Sequence, residues 1–269
     1  SAEEVQSGYI LACQSVPKTL DVEIEVDLSR AKKRLNRGKV VKQEKLTHDI
    51  TLLELELDEA PVFKAGQYAK LSLESLPNIT RAYSFASKPN ADNTRVSFFI
   101  RHVPSGAFSS VVQQEDLINA NIELQGPFGE FYLRDSDKPM LMIAGGSGLA
   151  PIVSILEQAK EKGCQRPVTV LLGARTQADI YGLKEIEKIS EDWPALFQFE
   201  QILSEETNDS SWQGMKGYIG DHLSNYATVN SEVYLCGPPL MIDDCMEQLT
   251  DLGISPAEMF ADRFITNSK

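Results

Sequence analysis

The hydrophobic period changes near Lys138, and that change constrains the fold more than any other feature of the chain. From about Gly38 to Leu133, apolar and polar residues alternate in short segments. These are Lys39–Lys45, Ile50–Leu57, Tyr68–Leu73, Arg81–Ser87, Arg95–Arg101 and Ile122–Gln125. Thr51-Leu52-Leu53-Glu54-Leu55-Glu56-Leu57 alternates most cleanly. A period of two marks strands with one buried face. A short helix is predicted at about Phe108–Gln114. Short strands at this spacing predict a small antiparallel β-barrel.

Beyond Lys138 the predicted strands are Met140–Ala144, Val168–Leu172, Phe197–Leu203 and Val233–Cys236. They alternate with predicted helices Ile152–Lys162, Leu183–Ser190 and Leu240–Leu252. That alternation predicts a parallel sheet covered by helices. Arg134–Pro139 is the expected joint between the two halves.

Composition narrows the partners. With 42% hydrophobic and 24% charged residues, the chain has the make-up of a water-soluble globular protein. No apolar run approaches the roughly 20 residues that span a bilayer, and no secretory signal pattern opens the chain. The formal charge of −13 argues against nucleic acid as a partner, since a phosphate backbone wants a basic face. Four irregularly spaced cysteines make no disulfide framework, so a cytoplasmic setting is expected. His48, His102 and His222 are scattered, with no HExxH or CxxC beside them. The nucleophile elbow nearly fits at Gly145–Leu149 but fails at Leu149, where it needs glycine.

Three short motifs carry chemistry. Gly145, Gly146, Ser147 and Gly148 follow a buried strand and precede a helix. That order can bring N–H groups and a helix N-terminus onto a phosphate, although a tight turn without a ligand fits the same residues. In the barrel half, Arg81-Ala82-Tyr83-Ser84 offers a charge, a flat aromatic face and a small donor; an ordinary half-buried strand fits as well. In the second half, Cys236-Gly237-Pro238-Pro239 places a thiol at a strand end, and a plain helix start is the alternative.

RAYS, then GPFG at Gly126–Gly129, then GGSGLAP, then CGPPLM, in this order, resemble the ferredoxin–NADP⁺ reductase superfamily. More narrowly, nearly the whole chain resembles the reductase components of bacterial multicomponent oxygenases, of the benzoate dioxygenase and phenol hydroxylase type. The resemblance implies an antiparallel β-barrel FAD domain at 38–134 and an α/β parallel-sheet nucleotide-binding domain at 135–269. It implies that Arg81, Ala82, Tyr83 and Ser84 hold the flavin, with Phe99, Ile100 and Arg101 as a second flavin segment. Gly106, Ala107, Phe108 and Ser109 would place N–H groups and a hydroxyl on the FAD pyrophosphate. Gly145, Gly146, Ser147 and Gly148 would cradle the dinucleotide. Cys236, with Gly237 and Pro238, would border the nicotinamide. Ser84, Cys236, Asp262 and Phe264 would surround the reacting centre; relatives usually carry glutamate where Asp262 stands.

The implied activity is an NADH-dependent flavin reductase that splits a hydride into single electrons for an oxygenase component. For the ribose, Arg175 could meet a 2′-phosphate and Asp179 could instead meet a 2′-hydroxyl. The run from Gly173 to Tyr181 resembles the oxygenase reductases, so NADH is favoured. Related readings are a reductase of a deoxysugar-forming or respiratory electron-transfer system. A non-catalytic dinucleotide sensor is the alternative from another class.

Gly8–Ser15 resembles the last ligand segment of a plant-type [2Fe–2S] ferredoxin, with Cys13 as the metal-ligating cysteine. The three earlier ligands are missing, and Cys164, Cys236 and Cys245 lie downstream. Residues 1–37 therefore read as a ferredoxin remnant plus linker, with the [2Fe–2S] cluster only in an intact parent. Ser29–Lys39, rich in basic residues, reads as a solvated tether.

Overall fold

The computed structural model describes residues 35–90, 93–207 and 209–264, all within one unit. Its first sheet holds β1 (Leu35–Lys45), β2 (Ile50–Leu57), β3 (Tyr68–Leu73), β4 (Arg81–Ser84), β5 (Arg95–Arg101) and β6 (Asn121–Phe128). The antiparallel order is β4-β3-β6-β1-β2-β5. Alternation along β2 puts Leu53, Leu55 and Leu57 inward, where they meet Phe85, Phe98 and Ile100. Helix α1 (Ala107–Gln114) plugs this core with Phe108 and Val112.

The predicted strand Arg81–Ser87 stops at Ser84 because the backbone changes partner there. Phe85 bridges Phe98, and the Ala86 N–H donates to the Ser97 carbonyl at 2.7 Å. This crossing from β3 to β5 brings the sheet nearly to closure, which limits unpaired edges.

The basic segment expected to be a tether departs from that reading at its end. Leu35–Lys39 pair with β6, in register from Leu35↔Gln125 to Lys39↔Asn121. Backbone pairing makes this stretch a strand although it carries few apolar residues. Ser29–Arg34 and the Cys13 segment lie outside the described residues.

The second sheet is parallel, in the order β10-β9-β8-β7-β11-β12. Its strands are β7 (Met140–Gly145), β8 (Val168–Ala174), β9 (Phe197–Leu203), β10 (Met215–Lys216), β11 (Glu232–Gly237) and β12 (Met259–Arg263). Helices α2 (Leu149–Glu161), α3 (Leu183–Ser190) and α4 (Pro239–Asp251) cover it. Period-two alternation sorts the strands between two cores. Met142, Ala144, Val170, Tyr234 and Cys236 join the core under α2 and α3. Leu141, Ile143, Val233 and Leu235 join Ile242, Cys245 and Leu249 of α4.

The halves are tied directly. The buried Ser154 hydroxyl on α2 donates to the Ser87 carbonyl at 2.7 Å. Beside it the Lys88 N–H donates to Glu157 Oε2 at 3.1 Å, and Lys88 Nζ meets Glu161 at 2.6 Å. No helix among the described residues is long and apolar enough to cross a membrane.

Candidate active site

At the end of β7 the chain turns through a single 3₁₀ turn, Gly146–Gly148, and enters α2 at Leu149. The turn lies at the carboxyl edge of the parallel sheet, where open α/β sheets take ligands. Gly148 is required by packing: a Cβ there would stand 2.0 Å from the Cys236 carbonyl oxygen. Gly146 is required by its backbone, with φ at +54°. A Cβ on Gly146 would stand 3.5 Å from Arg101 Nη1. The buried Tyr181 fixes this turn by donating to the Gly146 carbonyl at 3.0 Å. Its ring meets Phe99 of the barrel edge-on, with centroids 5.3 Å apart. The N-cap of α2 is Gly148, which offers no side-chain acceptor to the first-turn N–H groups.

The thiol and carboxylate come together through strand register. Parallel pairing of β11 with β12 aligns Cys236 with Asp262, so both side chains leave the same face of the sheet. Cys236 is fully buried, and burial first, then the Asp262 carboxylate, pushes its thiol well above the ordinary range. Burial likewise raises the Asp262 carboxyl, with a counteracting hydrogen bond from Ser84. That bond runs from the Ser84 hydroxyl to Asp262 Oδ2 at 3.4 Å, joining the barrel to the last strand. The Phe264 N–H donates to the Gly237 carbonyl at 3.0 Å, and the Phe264 ring packs on the core that contains Cys236. Arg263 pins β12 to α4 through Asp243 at 2.8 Å. Pro238 is the N-cap of α4, so the Cys236–Pro238 corner and the glycine turn sit side by side.

The flavin-segment residues divide by what they can offer. Arg81 and Ala82 are exposed, and Tyr83 is half-buried, 5.4 Å from the Phe108 ring. Burial pushes the Tyr83 phenol up, with Arg81 opposing. Among the described residues no carboxylate pairs with Arg81, whose Nη1 donates to the Thr80 carbonyl. Phe99 faces Tyr181, whereas Ile100 points into the barrel core, which leaves only its backbone for a ligand. Gly106 is the N-cap of α1 and has no capping side chain. Phe108 is fully buried, and Ser109 Oγ already accepts from the Val103 N–H at 3.1 Å. These two residues therefore hold the loop, and what α1 presents outward is its N–H groups. An aromatic face, a guanidinium without a carboxylate partner and an uncapped helix start are a donor set that fits an isoalloxazine ring and its pyrophosphate.

A charged cluster borders the glycine turn. Arg101 Nε donates to Asp49 Oδ2 at 3.0 Å, and Arg175 Nη2 donates to the same oxygen at 3.3 Å. Arg175 also meets Asp179 Oδ1 at 2.7 Å. Asp179 Oδ2 accepts from the Thr176 N–H and hydroxyl, each at 2.9 Å. Burial would raise the Asp179 carboxyl, but these bonds and Arg175 bring it below the ordinary value. Both Asp179 oxygens are thus engaged within the chain. Asp49 borders this cluster unannounced by any motif, since it lies in no glycine, RAYS or CGPP segment and its arginine partners are distant in sequence; Tyr181 lies in the Gly173–Tyr181 run, but its bond to the glycine turn comes only from the fold.

Comparison with protein families matches residues 37–132 to the oxidoreductase FAD-binding domain and residues 142–247 to the oxidoreductase NAD-binding domain. The xylene/toluene monooxygenase electron transfer component XylA of Pseudomonas putida is 39% identical over 98% of this chain and 76% of its own length. The phenol 2-monooxygenase reductase component DmpP of Pseudomonas sp. (strain CF600) is 33% identical over 96% of this chain and 74% of its own. Among solved structures, the ferredoxin reductase in carbazole 1,9a-dioxygenase matches with a TM-score of 0.79 at 31% identity, over 86% of this chain and 70% of that one. The Amycolatopsis cytochrome P450 reductase GcoB matches with a TM-score of 0.80 at 28% identity, over 99% and 81%.

Proposed function

This chain belongs to the family of FAD- and NAD-binding reductase components of oxygenase systems, and on that premise we propose that it oxidises NADH and passes the electrons singly to an oxygenase component. The observation that carries this reading is the convergence of Ser84, Cys236 and Asp262 from the two halves of the molecule.

Residues 38–134 would hold FAD and residues 135–269 the dinucleotide. Bound FAD supplies the chemistry of accepting a hydride and releasing electrons one at a time. Tyr83 gives the ring a face to lie on, Ala82 leaves that face uncovered, and Arg81 meets a phosphate. Backbone N–H groups of Phe99–Arg101 and Gly106–Ser109 complete the flavin side. Gly145–Gly148 receive the dinucleotide, while Gly237 and Pro238 form the other lip. Cys236 is kept a neutral thiol by burial, so it adds no charge beside the nicotinamide. Ser84 and Asp262 form a hydrogen-bonded pair beside it, and Phe264 covers the centre from the end of β12.

NADH is favoured over NADPH by the charge around Arg175. Its Nη2 edge is already answered by Asp179 and Asp49, and Glu205 adds further negative charge. A 2′-phosphate on the Asp179 side of Arg175 would be repelled by that carboxylate, whereas a neutral ribose hydroxyl there could donate to it. The test is a steady-state comparison of the FAD-loaded protein with an artificial acceptor. The kcat/KM for NADH is expected to exceed that for NADPH by about tenfold or more; equal values would overturn the preference.

Relay through a [2Fe–2S] centre rests on the likeness of the Cys13 segment to a ferredoxin. This chain itself is expected to carry no cluster. Iron and labile sulfide in stoichiometric amounts with the purified chain would contradict that.

A further inference from the structure

Asp49 sits in the tight turn between β1 and β2, outside every motif discussed above. Its two oxygens have separate duties. Oδ1 accepts from the Thr47 hydroxyl at 3.0 Å, which fixes the carboxylate within its own turn. Oδ2 accepts from Arg101 at 3.0 Å and from Arg175 at 3.3 Å. The Asp49 carbonyl accepts from the His102 N–H at 2.7 Å, so the backbone is anchored to the end of β5 as well. With its side chain only 14% exposed, Asp49 is a fixed carboxylate rather than a mobile surface group.

The two arginines come from different halves. Arg101 closes β5 of the barrel, and Arg175 follows β8 of the parallel sheet. Without a carboxylate between them, two guanidinium groups this close would repel. Among the described residues, Asp49 is the only carboxylate paired with Arg101. Arg101 Nη1 faces Gly146, the residue of the glycine turn with a left-handed backbone. Arg175 Nη2 also lies within 3.5 Å of His48 Nε2. The trio His48, Asp49 and Asp179 therefore surrounds a guanidinium, and a metal ion is not needed to explain it.

Arg101 meets Asp49 through Nε, and Arg175 meets both Asp49 and Asp179 through Nη2, whereas a guanidinium carries five N–H donors on three nitrogens. Donors remain on both for a bidentate phosphate contact. We propose that Asp49 is a positioning residue of the dinucleotide site, holding Arg101 and Arg175 as a cation pair, one from each half, at the glycine turn to receive the pyrophosphate of NADH. The proposal rests on the reading of Gly145–Gly148 as the dinucleotide turn. Asp49 itself touches neither NADH nor FAD. It prevents the two cations from separating, so less ordering remains to be done on binding.

The test uses the FAD-loaded protein with Asp49→Asn, Asp49→Glu, Arg175→Gln and the Asp49→Asn/Arg175→Gln pair. Asp49→Asn is expected to raise KM for NADH about tenfold while kcat stays within about twofold. FAD content should not change. Calorimetric binding of ADP-ribose, which carries the pyrophosphate but no nicotinamide, should weaken in parallel. Binding of AMP, which lacks the pyrophosphate, should weaken far less. Asp49→Glu should restore part of the loss, and the double variant should be no worse than the worse single one. An unchanged or lowered KM in Asp49→Asn overturns the proposal, as does a parallel loss of kcat and FAD content. If the unsubstituted protein binds no ADP-ribose, the dinucleotide reading of the glycine turn falls and this proposal with it. If it binds ADP-ribose and Asp49→Asn binds equally, the proposal alone falls.

Discussion

The Ser84 hydroxyl donates to Oδ2 of Asp262 across 178 residues of sequence, linking β4 of the barrel to the last strand of the parallel sheet. The bond is long, at 3.4 Å, and it does not offset the burial of the Asp262 carboxylate, whose proton affinity is raised overall. An acid with a folded-state pKa above its unfolded value binds more protons when folded. Folding stability contributed by this group is therefore lost as pH rises from the unfolded value through the folded one.

Asp262→Asn removes that titration. Against the unsubstituted protein, its denaturant midpoint is expected to be comparable near pH 4 and to become relatively higher as pH rises toward 7. The flavin reduction rate should fall in the same variant, because the carboxylate beside Cys236 is gone. Urea titrations across pH check the first half; a difference that is flat with pH would contradict the assignment of a raised Asp262.

Gly148 is the point where the glycine turn touches the Cys236 strand, and a Cβ there would lie 2.0 Å from the Cys236 carbonyl oxygen. Gly148→Ala must push the turn and strand apart. A destabilisation of about 1–3 kcal/mol is expected, with a loss of NADH affinity larger than that of Gly163→Ala. Gly163→Ala controls for a remote glycine substitution: nothing stands within 4 Å of its added Cβ, and any stability it loses comes from its φ of +71° rather than from packing.

Tyr83 lies half-buried against Phe108 on the RAYS strand. Tyr83→Ala should release FAD during purification, giving a flavin-to-protein ratio well below that of the unsubstituted chain. Tyr83→Phe should keep the flavin, because the flat face is retained. Full flavin content in Tyr83→Ala would show that the ring rests elsewhere.

Much of the architecture is legible in the residues. β2, β3, β5, β9 and α3 fall at the predicted bounds; β2 and β3 alternate, whereas β5 and β9 end in runs buried on both faces, Phe98–Ile100 and Ile202–Leu203. β12 is not legible: Phe-Ala-Asp-Arg has no such pattern, and it becomes a strand by pairing with β11 and through the Arg263–Asp243 contact. Leu35–Lys39 read as a basic tether for the same reason, since its strand character comes from β6. Within the site, RAYS, the glycine turn and Cys236 stand out because their chemistry is local. Asp49 does not, because its partners are brought near only by the fold, and the bond of Tyr181 to the glycine turn is hidden for the same reason. The structure also divides the glycines by duty: Gly148 serves packing, while Gly146 is the one that Arg101 faces.

Rapid mixing of the FAD-loaded protein with NADH, following the flavin absorbance, reads hydride transfer itself. The unsubstituted protein is expected to bleach in a single fast phase. Cys236→Ala should bleach about ten- to a hundredfold more slowly with nearly unchanged NADH affinity, as expected for a group that acts on the reacting centre more than on ground-state binding. A yellow protein that NADH does not bleach would rule out NADH oxidation by this chain, and a Cys236→Ala protein that bleaches at the unsubstituted rate would remove Cys236 from the reacting centre.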